Sequence, residues 1–404
     1  MNTNIIYQGN AQDILPKIHS DTIDAIVSDP PYQLESITKR FGKKDSAIAQ
    51  YGTDGAFQRV SKGFLGEKWD VLPNVEILKE CLRVLKPGAF ALWLMTPRQD
   101  SQLEFLMRLK EAGFDIGFTS LYWSFSSGFP KSENISKAID KKLGYKREII
   151  SRNPNSRENS TIDNTIYKSG TVGKTAYITI PKSEQAKVLD NAYGGFQPKP
   201  AVEVIIVSMK PLSEKTYIDQ ALKNGKGITW LGNARIPDKV AGINNSRFPA
   251  NLLVSDNILD VHIKKQGDFS KYFSLDSWWD MKIKELPEEI QKTYPFLITP
   301  KASKTEKNNM ENQNIKNIHP TVKPLKLMSY LITLVSKPQD TILDPFIGSG
   351  TTMLSAKLLN RNCIGIEKIP EYIEIIKQRM NEGDRLNIVD KFEKEKNRNN
   401  EVIK

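Results

Sequence analysis

Cysteine and histidine are scarce in this chain. Two cysteines, Cys81 and Cys363, in 404 residues cannot build a disulfide framework, and both stand in apolar runs, so they read as reduced core thiols. The three histidines, His19, His262 and His319, are scattered without ligand spacing, which argues against a metal centre. No apolar run approaches the roughly 18–20 residues that cross a bilayer. The opening Met1-Asn2-Thr3-Asn4 has neither the basic nor the apolar segment of a secretory signal. The expectations are therefore no metal, no membrane and a cytoplasmic location.

What the chain does have is positive charge. Its formal net charge is +11 and its pI about 9.3, while charged residues at 26% and apolar ones at 39% are ordinary for a globular protein. Such a balance favours a polyanionic partner, although solubility accounts for it equally well on charge alone. The length suits one large or two medium domains.

Short apolar runs alternate with helical patterns. Strands are expected at Asn4–Gln8, Ile23–Ser28, Ala89–Met95 and Gly117–Trp123. Gly9 to Asp13 reads as a turn and Ile14–His19 as a short helix. Asn74–Leu85 carries Val75, Leu78, Leu82 and Leu85 at helical spacing and stops at Lys86-Pro87-Gly88, and Gln102–Ala112 is a further helix. This alternation predicts an α/β fold with a mostly parallel, doubly wound sheet. Residues 33–70 have no period, as in a functional lid or mobile loop.

The pattern breaks over 127–200, where Lys and Arg outnumber Asp and Glu thirteen to seven, a net of +6. Tyr145, Tyr167, Tyr177, Tyr193 and Phe196 are interleaved with that charge. Basic residues mixed with rings suit a surface that tracks phosphates and stacks bases. A solvated, partly disordered insertion accounts for them as well. Ala201–Met209 returns to a β-prone run. Residues 212–318 are again irregular, with Trp230, Arg235, Arg247, Trp278 and Trp279 among short apolar pieces and an Asn-rich linker at 308–317.

Two corners carry the chemistry. After the strand ending at Ser28, Asp29-Pro30-Pro31-Tyr32 cannot continue it, because two prolines stiffen the backbone. A carboxylate, two proline-flanked carbonyls and a ring then stand at the carboxyl end of a strand, where open α/β sheets bind ligands. The carboxylate can accept from a planar amino group while the ring stacks on the same heterocycle. Far downstream, strand Thr341–Leu343 runs into Asp344-Pro345-Phe346-Ile347-Gly348-Ser349-Gly350-Thr351-Thr352 and a helix to about Asn360. Strand Cys363–Ile366 follows and ends at Glu367, placed for ribose hydroxyls. This is half of a nucleoside-binding sheet. Thr351 stands where a phosphate-binding loop needs Lys, and Met353 where a dinucleotide fingerprint needs a small residue, so a nucleoside without a pyrophosphate fits better.

Together these two stretches resemble the S-adenosylmethionine-dependent amino-group DNA methyltransferases. His319-Pro320-Thr321-Val322-Lys323-Pro324 looks like that family's third hallmark, and Arg83–Gly88 is similar to its helix-ending turn. The order, catalytic motif before cofactor motif, is that of the permuted beta group. The resemblance implies a seven-stranded Rossmann-like, mostly parallel sheet with an irregular inserted DNA-recognition region. It divides the chain into a catalytic half (1–126), a basic DNA-contacting insertion (127–200) and a returning strand (201–211). A target-recognition region (212–318), a cofactor half (319–385) and a charged tail (386–404) follow.

It further implies that Asp29, Pro30, Pro31 and Tyr32 act on a flipped base. Phe346, Gly348 and Gly350 would line the methionine part of the cofactor, with Ser349 and Thr351 completing that loop. Asp344 would face the cofactor's amino-acid end, Glu367 its ribose and Asp13 its adenine, while Lys323 and Thr321 close over its carboxylate. The implied cofactor is S-adenosylmethionine and the partner double-stranded DNA. Asp at position 29 favours adenine N6 over cytosine N4 in that family, and an RNA or protein acceptor is the remaining alternative. Whether the chain works as a homodimer, or beside a companion restriction endonuclease, is left open by the sequence.

Overall fold

The computed structural model describes residues 4–32, 71–125, 133–152, 177–196, 198, 201–238, 242–254, 273–286, 322–380 and 386–390. The expected lid at 33–70, the linker at 308–317 and Tyr167 lie outside the described residues. The described strands are β1 (Asn4–Gln8), β2 (Ala25–Ser28), β3 (Phe90–Met95), β4 (Leu121–Ser124), β5 (Glu148–Arg152), β6 (Tyr177–Ile180), β7 (Val202–Met209), β8 (Ile236–Asp238), β9 (Gly242–Arg247), β10 (Leu252–Val254), β11 (Thr341–Asp344), β12 (Asn362–Glu367) and β13 (Leu386–Asp390). The helices are α1 (Ala11–Ile14), α2 (Val75–Val84), α3 (Gln99–Ala112), α4 (Ile135–Lys142), α5 (Glu184–Val188), α6 (Tyr217–Asn224), α7 (Leu275–Lys282), α8 (Leu325–Val335), α9 (Thr351–Leu358) and α10 (Pro370–Arg379).

Nine strands form one sheet in the order β10-β4-β7-β3-β2-β11-β12-β1-β13. Among the described strands only β7 runs against its neighbours, pairing antiparallel with β3 and β4. The sheet is covered on both faces, which is what near-continuous apolar strands require. Side chains alternate: Val27, Leu92, Leu94 and Ile342 enter the core beneath α7, α8 and α9, while Ile26, Trp93, Met95 and Leu343 enter the core beneath α2 and α3. Local chemistry sets the boundaries. The Asn74 side chain accepts from the Ile77 amide and caps α2, and Gly113 ends α3 at φ 101°. No described helix is long and apolar enough to cross a membrane.

The seven strands expected from sequence are all present, Asn4–Gln8 with the expected ends and the other six with shifted ones, and the sheet has two more among the described residues. β10 has three residues, too few to show a period, and adds to β4 at one edge. β13 adds to β1 at the other, so residues 386–390, expected to begin a charged tail, belong to the sheet. The turn expected at 9–13 is in part helix α1, which starts at Ala11. The region 212–318, expected to be irregular, contributes α6, the β8–β9 hairpin, β10 and α7. Trp278 of α7 is fully buried against Tyr330, with ring centroids 4.9 Å apart. Helix α8 was not expected from the sequence; all eleven of its residues are buried, Lys326, Ser329 and Thr333 included, so even its polar positions face protein.

Residues 128–200 form a compact unit of their own. Its described part holds α4, the antiparallel β5–β6 ribbon and α5. Asp140, fully buried, accepts from the Ser183 hydroxyl at 2.6 Å, from the Lys182 and Ser183 amides at 2.9 Å, and from Arg147 at 3.1 Å. Burial opposes its charge, but those donors hold its carboxyl down to about 2. Tyr145, Tyr177, Tyr193 and Phe196 of this unit are exposed.

Candidate active site

Parallel pairing puts several strand ends side by side. β2 pairs with β11, β11 with β12 and β12 with β1, so the residues following them reach the same edge of the sheet. Their carboxyl ends surround a cleft of about 560 Å³, within the usual range for small-ligand sites. Asn10 and Asp13 line it after β1, Asp29–Tyr32 after β2, Asp344–Ser349 after β11, and Glu367–Ile369 after β12. Lys323, Leu72 and Tyr372 complete the wall. The two corners that are 315 residues apart in sequence, Asp29 and Asp344, therefore face one cavity, and a direct bond joins them: the Ser28 hydroxyl donates to Asp344 Oδ1 at 2.6 Å.

Asp344 also accepts from Thr352 Oγ1 at 2.6 Å and from the Phe346 amide at 3.1 Å. Burial pushes its carboxyl up to about 6 although all three donors pull it down. Glu367 is buried too and rises to about 7, with the Gly348 amide on Oε2 at 2.9 Å and the Ile369 amide on Oε1 at 2.8 Å opposing the shift. An ionised carboxylate has about four lone-pair positions, so both acids can accept more. Arg379 holds the bend from behind, donating to the Ser349 carbonyl at 2.7 Å and to Thr351 Oγ1 at 3.0 Å.

At the other corner Tyr32 donates to Asp29 Oδ1 and Lys323 to Asp29 Oδ2. The Lys323 ammonium lies 3.6 Å from Glu203 Oε2 and 5.3 Å from the centre of the Tyr32 ring. Burial disfavours that charge, yet Asp29 and Glu203 outweigh it and leave the Lys323 pKa above its ordinary value.

Among the residues expected from sequence, Asp13, Asp29, Pro30, Pro31, Tyr32, Asp344, Phe346, Gly348, Ser349, Thr351 and Glu367 line the cleft. Asp13 is exposed at its rim. Gly350 does not line it. With φ at 82° it turns the chain into α9, and a Cβ there would stand 2.9 Å from Ile376 Cγ1. Lys323, expected over a cofactor carboxylate, also lines the cleft and is paired there with Asp29 and, at 3.6 Å, with Glu203, the fixed counter-charges that an ammonium this buried needs. Thr321 lies outside the described residues. Sequence reasoning missed Glu203 and Arg379. Glu203 is the one acid inside the β-prone run Ala201–Met209, a signal that could have singled it out. Arg379 sat among ordinary helix charges and carried none. Among the described residues no cluster of acids, histidines and cysteines could hold a metal.

Comparison with known proteins bears on this geometry. Over 78 residues the chain is 44% identical to a type II methyltransferase, M.HinfI, of Haemophilus influenzae, and over 64 residues 52% identical to another, M2.MboI, of Moraxella bovis. These stretches are 19% and 16% of this chain, which spans only 22% and 23% of the relatives' lengths. Of solved structures, the PvuII DNA methyltransferase (cytosine-N4-specific) aligns over 95% of this chain and 89% of its own, at 16% identity and a TM-score of 0.44. The N6/N4 DNA methylase family model matches residues 23–378. Because that match starts ahead of the proline corner and runs past the glycine bend into α10, with both corners on one cleft, the chain belongs to the DNA methylase family.

Proposed function

We propose that this protein is a DNA amino-methyltransferase that uses S-adenosylmethionine, and that its target is adenine N6. The observation that carries the reading is the Ser28–Asp344 bond, which ties a carboxylate–proline–tyrosine corner to a glycine bend on the wall of one cleft. The cleft suits the cofactor chemically. Asp344 and Glu367 are buried carboxylates with raised pKa values and unfilled lone pairs, which favour a ligand bringing cationic charge and hydroxyls. Glu367 would hold the ribose, Asp344 the amino-acid end, Phe346 the methionine stem and Asp13 the adenine edge. Bound there, S-adenosylmethionine supplies an electrophilic methyl on a cationic sulfur, which keeps the electron pair when the methyl leaves.

The chain's own residues prepare the nucleophile. An exocyclic amino nitrogen is weakly nucleophilic because its lone pair is delocalised into the ring. Asp29 and the Pro30 carbonyl accept from its two hydrogens, favour a pyramidal nitrogen, and Asp29 takes up the proton that the nitrogen loses. Orientation and electrostatics supply the rate. Tyr32 gives the extruded base a stacking face that offsets part of the unstacking cost of a few kcal/mol. Double-stranded DNA is the partner this requires. The basic unit 128–200, with its exposed rings, and the region 212–318 are the proposed contacts to phosphates and target sequence. As a member of a family whose relatives include type II methyltransferases, the chain would act beside a restriction endonuclease.

The test is incubation of the purified chain with DNA and methyl-labelled cofactor, followed by mass spectrometry of the nucleosides. N6-methyladenine is expected. N4-methylcytosine would keep the site and change the base, and DNA free of label would refute the reading.

A further inference from the structure

We propose that Lys323 is a positioning residue for Asp29 and that Glu203 fixes where its ammonium stands. The inference rests on the methyl-transfer reading above and gives Lys323 a different task from holding cofactor. Three separate pieces of chain meet at this ammonium. Asp29 and Tyr32 come from the corner after β2, and Glu203 comes from β7, where it is paired in register with Trp123 of β4. Lys323 itself comes from the segment entering α8. In the sheet β3 separates β2 from β7, so one side chain braces the catalytic corner against a strand two places away.

The bracing is tight for a physical reason. Only 7% of Lys323 is exposed, so its charge is stable only beside counter-charges and cannot swing out to water. Asp29 takes it on one side, Glu203 stands 3.6 Å away on another, and the Tyr32 ring faces it at 5.3 Å. An aspartate free about its side-chain torsions would sample several orientations. With Oδ2 held by Lys323 and Oδ1 touched by the Tyr32 hydroxyl, Asp29 keeps a single orientation and still has lone pairs for an amino hydrogen.

Lys323→Met, Glu203→Gln and the double variant test this in the full chain. Single-turnover methyl transfer is measured together with cofactor affinity by calorimetry. Lys323→Met is expected to slow transfer about 100-fold, the scale of a misplaced catalytic group, with cofactor affinity retained. The double variant removes the carboxylate that the single change strands, so it keeps a folded protein in the comparison and should be equally slow. Glu203→Gln alone should slow transfer less, because the Lys323–Asp29 bond survives. Loss of cofactor affinity with an unchanged transfer step would overturn the inference and return Lys323 to the cofactor. Unaltered transfer in Lys323→Met and in the double variant would overturn it too. Absence of transfer by the unaltered protein refutes the methyl-transfer reading and this inference with it, an outcome distinct from an active protein indifferent to Lys323.

Discussion

Replacing Ser28 by alanine should destabilise the protein more at high pH than at low pH. Ser28 is fully buried at the end of β2, and its hydroxyl is one of three donors on the buried Asp344 carboxylate. The folded pKa of that group is raised from 3.8 to about 6. A raised acid contributes stability that is fully present below its unfolded pKa and is lost as pH climbs through the folded one. The shift of roughly two units corresponds to about 3 kcal/mol over that window. Without Ser28 the ionised form loses a donor, the folded pKa moves further up and the loss continues to higher pH. A bond to an ionised group contributes ~1.5–3 kcal/mol and a neutral one ~0.5–1.5 kcal/mol. Ser28→Ala should therefore cost about 1 kcal/mol at pH 5 and about 2 kcal/mol or more at pH 8. Urea unfolding followed by fluorescence reads this directly, since Trp93, Trp123 and Trp278 are all buried in the cores. Equal losses at the two pH values would refute the assignment of Ser28 as a donor that stabilises the ionised form of a buried, raised Asp344.

Other perturbations separate the parts of the site. Asp29→Ala should abolish methyl transfer while cofactor binding persists, and transfer at the original rate would remove Asp29 from the chemistry. Cofactor affinity should rise from pH 5 to pH 8 with release of protons, because Asp344 and Glu367 accept hydrogen bonds best when ionised. Calorimetry in two buffers of different ionisation enthalpy counts those protons, and a count of zero would contradict it. Away from the cleft, Lys226 bridges Asp24 at 2.8 Å and Asp340 at 3.0 Å, all three being buried. Lys226→Met should cost about 3–5 kcal/mol in urea unfolding; a loss below ~1 kcal/mol, the scale of an exposed pair, would show that the triad contributes little. DNA affinity should fall steeply with salt as phosphate contacts release counterions, and a flat response would exclude the basic unit as the DNA surface.

Much of this was legible in the residues themselves. The central strands announced themselves because a strand buried on both faces must be apolar along its whole length, as Phe90–Met95 is. The proline corner at Asp29 and the glycine bend at Gly348 were legible because proline and glycine restrict the backbone wherever they stand. The family followed from the pair of them, and the family match agrees. Short edge strands were not legible, since three residues of β10 carry no period, nor was the full burial of α8, whose Lys326, Ser329 and Thr333 would by themselves suggest an exposed face.

Tertiary structure decided the rest, and for one reason. Local sequence sets what a segment can become, whereas the partner of a buried charge is whatever the folded chain brings within reach. Nothing near Lys323 in sequence points to Asp29 or Glu203, and nothing near Ser28 points to Asp344. Those pairings arise only when the sheet brings the carboxyl ends of β2 and β11 and the amino end of the antiparallel β7 to one edge, because a charge shut away from water must then find a counterpart across the sheet.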